Sequence, residues 1–129
     1  MNKAYKAPRA FDSFTIAFIA CGLELCDSEI GNDKSFSDIN QKSIDLIVAD
    51  CKKFLEQAKP YLDFENDDLM DQAGYDFWLT RNGHGVGYWD REETYGEANA
   101  KALTALCESY ISCDFYRNPG QRWVGWEAM

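Results

Sequence analysis

The residue types best suited to chemistry are concentrated in one block, residues 76–92. His84, the only histidine of the chain, lies there between two glycines in the sequence Asn-Gly-His-Gly. An imidazole on an exposed turn can act as a general base near neutral pH. A lone histidine with no nucleophile close by in the sequence is weak support for catalysis. We therefore predict no catalytic residue and interpret the glycines as the requirement of a turn.

Arginine and aromatic side chains flank this histidine and indicate binding. Arg81 and Arg91 could hold a carboxylate or phosphate between them as bidentate donors. Ordinary ion pairs with nearby acids are the simpler expectation in so acidic a chain. The candidate binding residues of the block are Arg81, Asn82, His84, Tyr88, Trp89, Asp90 and Arg91.

The charge balance of the chain excludes some classes of partner. Its 129 residues include 22 acidic and 13 strongly basic side chains, a formal net charge of -9. Affinity for nucleic-acid backbones and for anionic membranes comes mainly from clustered lysine and arginine, so we expect neither partner. Most acids are dispersed and serve solubility, but one dense stretch could imitate DNA toward a basic protein. This candidate acidic surface consists of Asp63, Glu65, Asp67, Asp68 and Asp71.

The cysteines predict buried thiols rather than a disulfide framework or a metal site. Their number is odd, and their spacing is not that of a zinc knuckle. They are Cys21, Cys26, Cys51, Cys107 and Cys113. The run Gly-His-Gly-Val-Gly lacks the lysine of a phosphate-binding loop and a following helix, so it does not indicate a nucleotide cofactor. We therefore predict neither a metal nor a cofactor. Neither a signal peptide nor a membrane span is recognisable, which favours a reducing, cytoplasmic location.

Hydrophobic periodicity predicts three long helices. The first covers residues 14–25, is apolar on most sides, and has Asp12 or Ser13 as its N-cap. The second has apolar residues at helical spacing from Ile44 to Ala58 and ends before Pro60. Three residues could supply its N-cap, namely Ser37, Asp38 and Asn40.

The third helix is predicted from residues whose helical spacing places them on one inner face. They are Leu103, Leu106, Cys107 and Tyr110. Its start is indicated by Thr94-x-x-Glu97, which matches a capping box, although Gly96 weakens that pattern.

Residues 66–92 allow two interpretations. In the first, a short helix runs from Asn66 to Gly74 and two strands then flank a glycine-rich turn at Asn82-Gly83. In the second, one helix extends from Asn66 to Asn82, because apolar residues in this range also keep helical spacing. Periodicity does not decide between them.

The fold class that these elements predict is a single α+β domain over residues 11–129, preceded by a flexible basic arm over residues 1–10. Residues 114–126 contain Asn118-Pro119-Gly120, which is typical of a turn between two short strands. N-terminal helices would then pack with a small antiparallel sheet, in the order helix-helix-hairpin-helix-hairpin. Residues 26–37 are expected to form a polar loop.

The block QAGYDFWLTRNGHGVGYWDRE, residues 72–92, resembles a family of small uncharacterised proteins encoded by tailed bacteriophages and prophages. Residues 11–29 and 47–58 are similar to the first two helices of that family, and the likeness extends from about residue 11 to residue 116. The chain departs from the family after its first helix, where Leu23-Glu24-Leu25-Cys26 replaces a typical Trp-Ser-Ser stretch. It departs again in its last turn. The resemblance implies a phage origin and carries no catalytic or binding residue.

The function that these features favour is protein binding by a phage accessory protein in the host cytoplasm. Tyr and Trp dominate interface energies, and the chain lacks a catalytic constellation. The predicted partner is a host or defence-system protein, and inhibition of a nucleic-acid-processing complex would suit the acidity. The alternative is a small-molecule or nucleotide binder, or an enzyme, in which His84 acts between Arg81 and Arg91. Convergence of those three side chains on one concave pocket would favour the alternative. Self-association is left open.

Overall fold

The computed structural model describes residues 12–26, 36–118 and 120–128. Its α-helices and strands, numbered in chain order, are α1 (Asp12–Leu25), α2 (Gln41–Ala58), α3 (Asp67–Arg81), α4 (Glu92–Tyr95), α5 (Glu97–Cys107), β1 (Cys113–Tyr116) and β2 (Gly125–Ala128). Single turns of 3-10 helix cover Phe36–Asp38, Lys59–Tyr61 and Tyr88–Asp90. The predicted basic arm and most of the predicted polar loop, residues 27–35, lie outside the described residues.

Helix α2 confirms the clearest periodic pattern of the sequence. Its buried face is Ser43, Ile44, Ile47, Cys51, Phe54, Leu55 and Ala58. Of the three candidate N-caps it uses Asn40, whose side chain accepts a hydrogen bond from the backbone N–H of Ser43 at 2.9 Å. The helix gives way to a 3-10 turn containing Pro60, since proline cannot continue the hydrogen-bond ladder.

Helices α1 and α3 form the most closely packed pair of the core. Phe14 and Phe18 of α1 pack on Phe77 of α3, with ring centroids 5.7 and 5.1 Å apart. Gly74 makes this approach possible, because a Cβ atom added there would overlap the backbone carbonyl of Phe14. The predicted helix end at Gly74 is therefore wrong: this glycine serves a close helix contact in the middle of α3.

The second interpretation of residues 66–92 is confirmed, and the two strands predicted around the Asn82-Gly83 turn are wrong. Helix α3 begins after Asn66, whose side chain accepts from the backbone N–H of Leu69 at 3.1 Å, and it ends at Arg81. Phe77, Trp78 and Leu79 are consecutive and all buried. A helix accommodates three consecutive buried residues when other elements cover it on several sides. The segment is therefore helical in spite of the β-propensity of its residues.

The third predicted helix is divided by Gly96. This glycine has φ +89°, a left-handed backbone that ends α4, and α5 begins directly afterwards at Glu97. The predicted Thr94–Glu97 capping box is therefore not formed. Leu103 and Cys107 occupy the buried face of α5 as predicted, and Leu106 and Tyr110 are partly buried against the core.

Strands β1 and β2 confirm the predicted C-terminal hairpin. They pair antiparallel with Cys113 opposite Ala128 and Phe115 opposite Trp126. The backbone N–H of Trp126 also donates to Ser43 Oγ at 2.8 Å, which fastens the sheet to α2. The result is a single α+β domain as predicted, with a helix in place of the first hairpin.

Candidate functional site

The chemically distinctive block folds as the last turns of α3 followed by a segment that runs back along the helix. We call residues 82–91 the return loop. Gly83 has φ +71°, a backbone that favours glycine, and it reverses the chain after α3. The backbone N–H of Tyr88 then donates to Thr80 Oγ1 at 3.0 Å, and the Tyr88 hydroxyl donates to the Ala73 carbonyl at 2.6 Å. These bonds fasten the return loop to α3.

A buried carboxylate closes the base of the return loop. Asp76 is fully buried and accepts from Arg91 Nε at 2.8 Å, from the Tyr95 hydroxyl at 2.7 Å and from Gln72 Nε2 at 3.1 Å. Burial raises the pKa of Asp76, against the opposing effect of the hydrogen bonds from Arg91 and Tyr95. The same contact raises the pKa of Arg91. The expected ion pair of Arg91 with a nearby acid is confirmed, but its partner is a buried carboxylate of a helix and not an acid on a solvated sheet face.

Arg81 is a core residue. Its Nη1 donates to Asp50 at 3.0 Å, and its Nε and Nη2 donate to the Ile111 carbonyl at 3.0 and 2.8 Å. The guanidinium carbon also lies 5.1 Å from the ring centroid of Phe77 and 5.2 Å from that of Tyr110. The side chain thus ties α3 to α2 and to the segment before β1, and its charge is compensated inside the protein.

The clamp of Arg81 and Arg91, the less favoured of the two interpretations, is not formed, because each arginine is engaged by a different carboxylate. Tyr88 and Arg81 are also buried, with 0% and 6% of their areas exposed. The Tyr88 ring points from the return loop into the aromatic core. It lies parallel to the Phe54 ring, with the two ring centroids 6.0 Å apart.

Two further candidates, Asn82 and Asp90, have internal partners as well. Asn82 Nδ2 donates to the Trp78 carbonyl at 3.0 Å, and its Oδ1 accepts from the backbone N–H of Cys113 at 2.8 Å. Asp90 Oδ1 accepts from the backbone N–H of Gly87 at 2.9 Å. Both side chains therefore shape the return loop.

His84 and Trp89 are the candidates that the fold leaves available. Among the described residues, neither side chain has a hydrogen bond, ion pair or ring contact, and both are exposed. Trp89 has 50% of its area exposed and the neighbouring Val86 has 41%. A half-exposed tryptophan on a fastened loop is the feature of this block that internal packing does not explain.

The exposed part of the return loop borders a cleft of about 410 Å³ between the ends of α3 and α5. We call it the α3–α5 cleft. Its lining includes Thr80, Asn82, His84, Trp89, Thr104 and Glu108. Sequence reasoning missed Thr104 and Glu108, although their i, i+4 spacing places them on one side at the end of α5. A smaller cleft of about 200 Å³ involves His84, Asn82 and Asp114.

The chemistry that this cleft can perform is limited. Cys107 contributes to its lining, but burial raises the pKa of that thiol to about 12, so it is protonated and unreactive at neutral pH. Within the described ranges, no three His, Cys, Asp or Glu side chains come close enough to hold a metal ion. Cys21, Cys51 and Cys113 are buried as predicted, and Cys26 is partly buried.

The acidic surface lies at the opposite end of α3, which is 15 residues or about 22 Å long. All five of its carboxylate residues are exposed, namely Asp63, Glu65, Asp67, Asp68 and Asp71. Asp67 and Asp68 occupy the first turn of α3, where negative charge stabilises the helix dipole. Part of this acidity thus has a local structural role.

No protein-family model, curated protein or solved structure matches this chain. Among the described residues, no helix combines the length and the hydrophobicity needed to cross a bilayer.

Replacement of Asp76 by asparagine is expected to cost more free energy of unfolding at pH 4 than at pH 7. Because burial raises the pKa of Asp76 above its ordinary 3.8, the folded protein retains a proton that the unfolded chain has released. The contribution of Asp76 to the free energy of unfolding therefore rises as the pH falls through that raised pKa, with each unit of pKa difference worth about 1.4 kcal/mol. Asparagine does not titrate, so the variant lacks this pH-dependent contribution to the free energy of unfolding.

Urea unfolding followed by tryptophan fluorescence at both pH values measures this difference. Asp71→Asn, on the exposed part of the same helix, is the matched control for loss of one carboxylate. A smaller cost of Asp76→Asn at pH 4 than at pH 7 would show that the fold favours the ionised form, contrary to the prediction.

Proposed function

We propose that this chain is a bacteriophage accessory protein that acts in the host cytoplasm by binding a host or defence-system protein. The phage origin rests on the resemblance of residues 72–92. The binding role rests on the half-exposed Trp89, which the return loop presents beside the exposed Val86. Exposed aromatic side chains of this kind are typical anchors of protein interfaces.

The way in which the loop is held supports this role. Gly87 lies directly on α3, since a Cβ atom added to it would overlap Thr80 Oγ1. Asp90 and Arg91 fasten the segment that follows Trp89. A side chain presented on such a supported loop loses little conformational freedom when a partner binds, which favours affinity.

The charge of the chain supports a basic partner. Five exposed carboxylates on the acidic surface and a net charge of -9 would accelerate encounter with a positively charged protein. Enzymes that process nucleic acids carry such basic surfaces. We therefore propose that binding inhibits a nucleic-acid-processing complex of the host or of a defence system.

The alternative function, binding of a small molecule or nucleotide, draws on the α3–α5 cleft beside His84. It is less well supported because Arg81 and Arg91 are each engaged by a carboxylate inside the protein. Without those arginines the phosphate groups of a nucleotide would lack bidentate donors.

Trp89→Ala is expected to weaken binding to the partner at least tenfold, as truncation of an interface anchor does. The tagged wild type first recovers the partner from a lysate of infected host cells, and calorimetry with the purified partner then measures the Kd. Leu46→Ser is the matched control, because Leu46 is an apolar residue of α2 with 46% of its area exposed. Its Kd is expected to equal that of the wild type.

Stopped-flow association kinetics with the purified partner at several salt concentrations, together with its Kd, test the acidic surface. The double replacement Asp67→Lys and Asp68→Lys is expected to slow association and reduce its dependence on salt. Recovery of no partner, or wild-type affinity in both the Trp89 and the Asp67/Asp68 variants, would contradict the proposed function.

A further inference from the structure

The α3–α5 cleft lies where two helices end. Asn82 is the C-cap of α3 and Glu108 is the C-cap of α5, and both residues line the cleft. The C-terminal end of a helix carries a negative partial charge, because its last carbonyl groups point along the axis. Two helix C-termini therefore border one cleft, and their partial charges add to the preference for a positively charged guest, although the last carbonyl groups also accept hydrogen bonds from the residues that follow each helix.

The side chains of the cleft add to this preference. Glu108 is exposed and contributes a full negative charge. Arg81 also reaches the lining, but Asp50 compensates its charge at 3.0 Å and its other donors are directed to the Ile111 carbonyl. Lys53 lies 5.5 Å from the ring centroid of Tyr110 and is not part of the lining. An anion would therefore find little attraction here.

Trp89 supplies an aromatic surface to the same cleft. The face of an indole ring is the strongest of the aromatic binders of ammonium and guanidinium groups. With half of its area exposed, Trp89 has surface free to receive one. The volume of about 410 Å³ lies within the usual range of about 300–1,000 Å³ for ligand pockets, so a long side chain fits.

We propose that the α3–α5 cleft binds a lysine or arginine side chain of the partner protein, against the Trp89 ring and the Glu108 carboxylate. This inference rests on the proposed function and specifies the chemistry of the partner at that surface. It assigns Glu108 a binding role that no motif of the sequence indicates. It also gives Trp89 and the negative charge of the chain the same role, since both favour a basic partner.

Titration of the ¹⁵N-labelled full chain with short peptides tests the proposal by NMR. The probes are acetyl-Gly-Arg-Gly-amide, the same peptide with lysine, and the same peptide with citrulline, which keeps the shape of arginine without its charge. Both charged peptides are expected to shift the Trp89 indole signal and the Glu108 amide signal with millimolar Kd. The citrulline peptide is expected to bind at least fivefold more weakly.

Variants locate the binding. Glu108→Gln and Trp89→Ala are each expected to weaken the arginine peptide at least fivefold, while Glu93→Gln, an exposed acid of α4, leaves its Kd unchanged. Unchanged amide spectra away from the substitution show that each variant is folded. Equal binding of the citrulline peptide, or equal affinity in Glu108→Gln, would overturn the proposal.

Two further probes test whether the cleft prefers a cation to an anion, and a protein side chain to a free amine. Shifts of the same signals by inorganic phosphate would overturn the cation preference. Tighter binding of putrescine than of either peptide would assign the cleft to a free amine instead of a partner side chain. A partner whose capture depends on Trp89, in the absence of any peptide binding, would leave the proposed function standing and remove this inference alone.

Discussion

Alanine at position 74 is expected to destabilise the fold by about 3 kcal/mol, although glycine-to-alanine replacement inside a helix ordinarily stabilises it by about 0.5–1 kcal/mol. The reversal of sign follows from the contact between α1 and α3. A Cβ atom on Gly74 would overlap the carbonyl carbon and oxygen of Phe14, and backbone atoms cannot move aside as a flexible side chain does. Relief would require the two helices to separate, which would loosen the ring contacts of Phe14 and Phe18 with Phe77.

Urea unfolding of wild type and Gly74→Ala measures the effect. Gly85→Ala is the matched control, since a Cβ atom added at Gly85 meets no atom within 4 Å. Its free energy of unfolding is expected to stay within about 0.5 kcal/mol of the wild type. A Gly74→Ala protein as stable as the wild type would show that α1 and α3 do not approach as closely as described.

Arg81→Ala is expected to have an effect of similar or greater size, about 4 kcal/mol of destabilisation. The replacement removes the ion pair with Asp50 and leaves the Ile111 carbonyl without its two donors. It also opens a cavity among the aromatic rings that surround the guanidinium group. Each of these losses is a recognised cause of large destabilisation.

Two matched variants separate the causes. Arg81→Lys keeps the charge but cannot donate in a fork to both Asp50 and Ile111, so we expect a loss of about 2 kcal/mol. Arg122→Ala is expected to change stability by less than about 0.5 kcal/mol, because the Arg122 side chain is 66% exposed. If Arg81→Ala unfolds at the same urea concentration as Arg122→Ala, the buried role assigned to Arg81 is wrong.

These roles change how substitutions in residues 76–92 should be interpreted. Asp76, Arg81 and Asn82 resemble functional residues in type, yet each forms buried or partly buried bonds within the fold. Their replacement is expected to weaken binding indirectly, through reduced stability of the fold. Replacement of Trp89 or His84, which project from the return loop, is expected to alter binding in a folded protein.

The elements that could be predicted from the sequence are those that depend on neighbouring residues. The apolar spacing from Ile44 to Ala58 predicts α2 because one face of that helix is buried. The N-caps of α2 and α3 follow from Asn40 and Asn66, whose side chains each accept a hydrogen bond from the backbone N–H three residues later. The dense acidic stretch from Asp63 to Asp71 is exposed as its charge requires.

Other features depend on contacts between residues far apart in the chain. Residues 76–81 are rich in strand-forming types, and they are helical because α1 and the sheet cover Phe77 and Trp78. The partners of Arg81 lie about thirty residues away on either side, so no local pattern shows that its charge is compensated.

The charge, the cysteine spacing and the periodicity of α2 could therefore be predicted from the sequence. The charge depends only on composition, and the other two depend only on the order of residues along the chain. The availability of His84 and Trp89 could not be predicted, because it depends on which of the other candidates find partners within the protein. Packing and hydrogen bonding engage Arg81, Asn82, Tyr88, Asp90 and Arg91. The cleft beside these two residues likewise exists because α3 and α5 end at the same place. Long-range packing brings those helix ends together, so a cleft bordered by two helix C-termini is a property of the assembled fold.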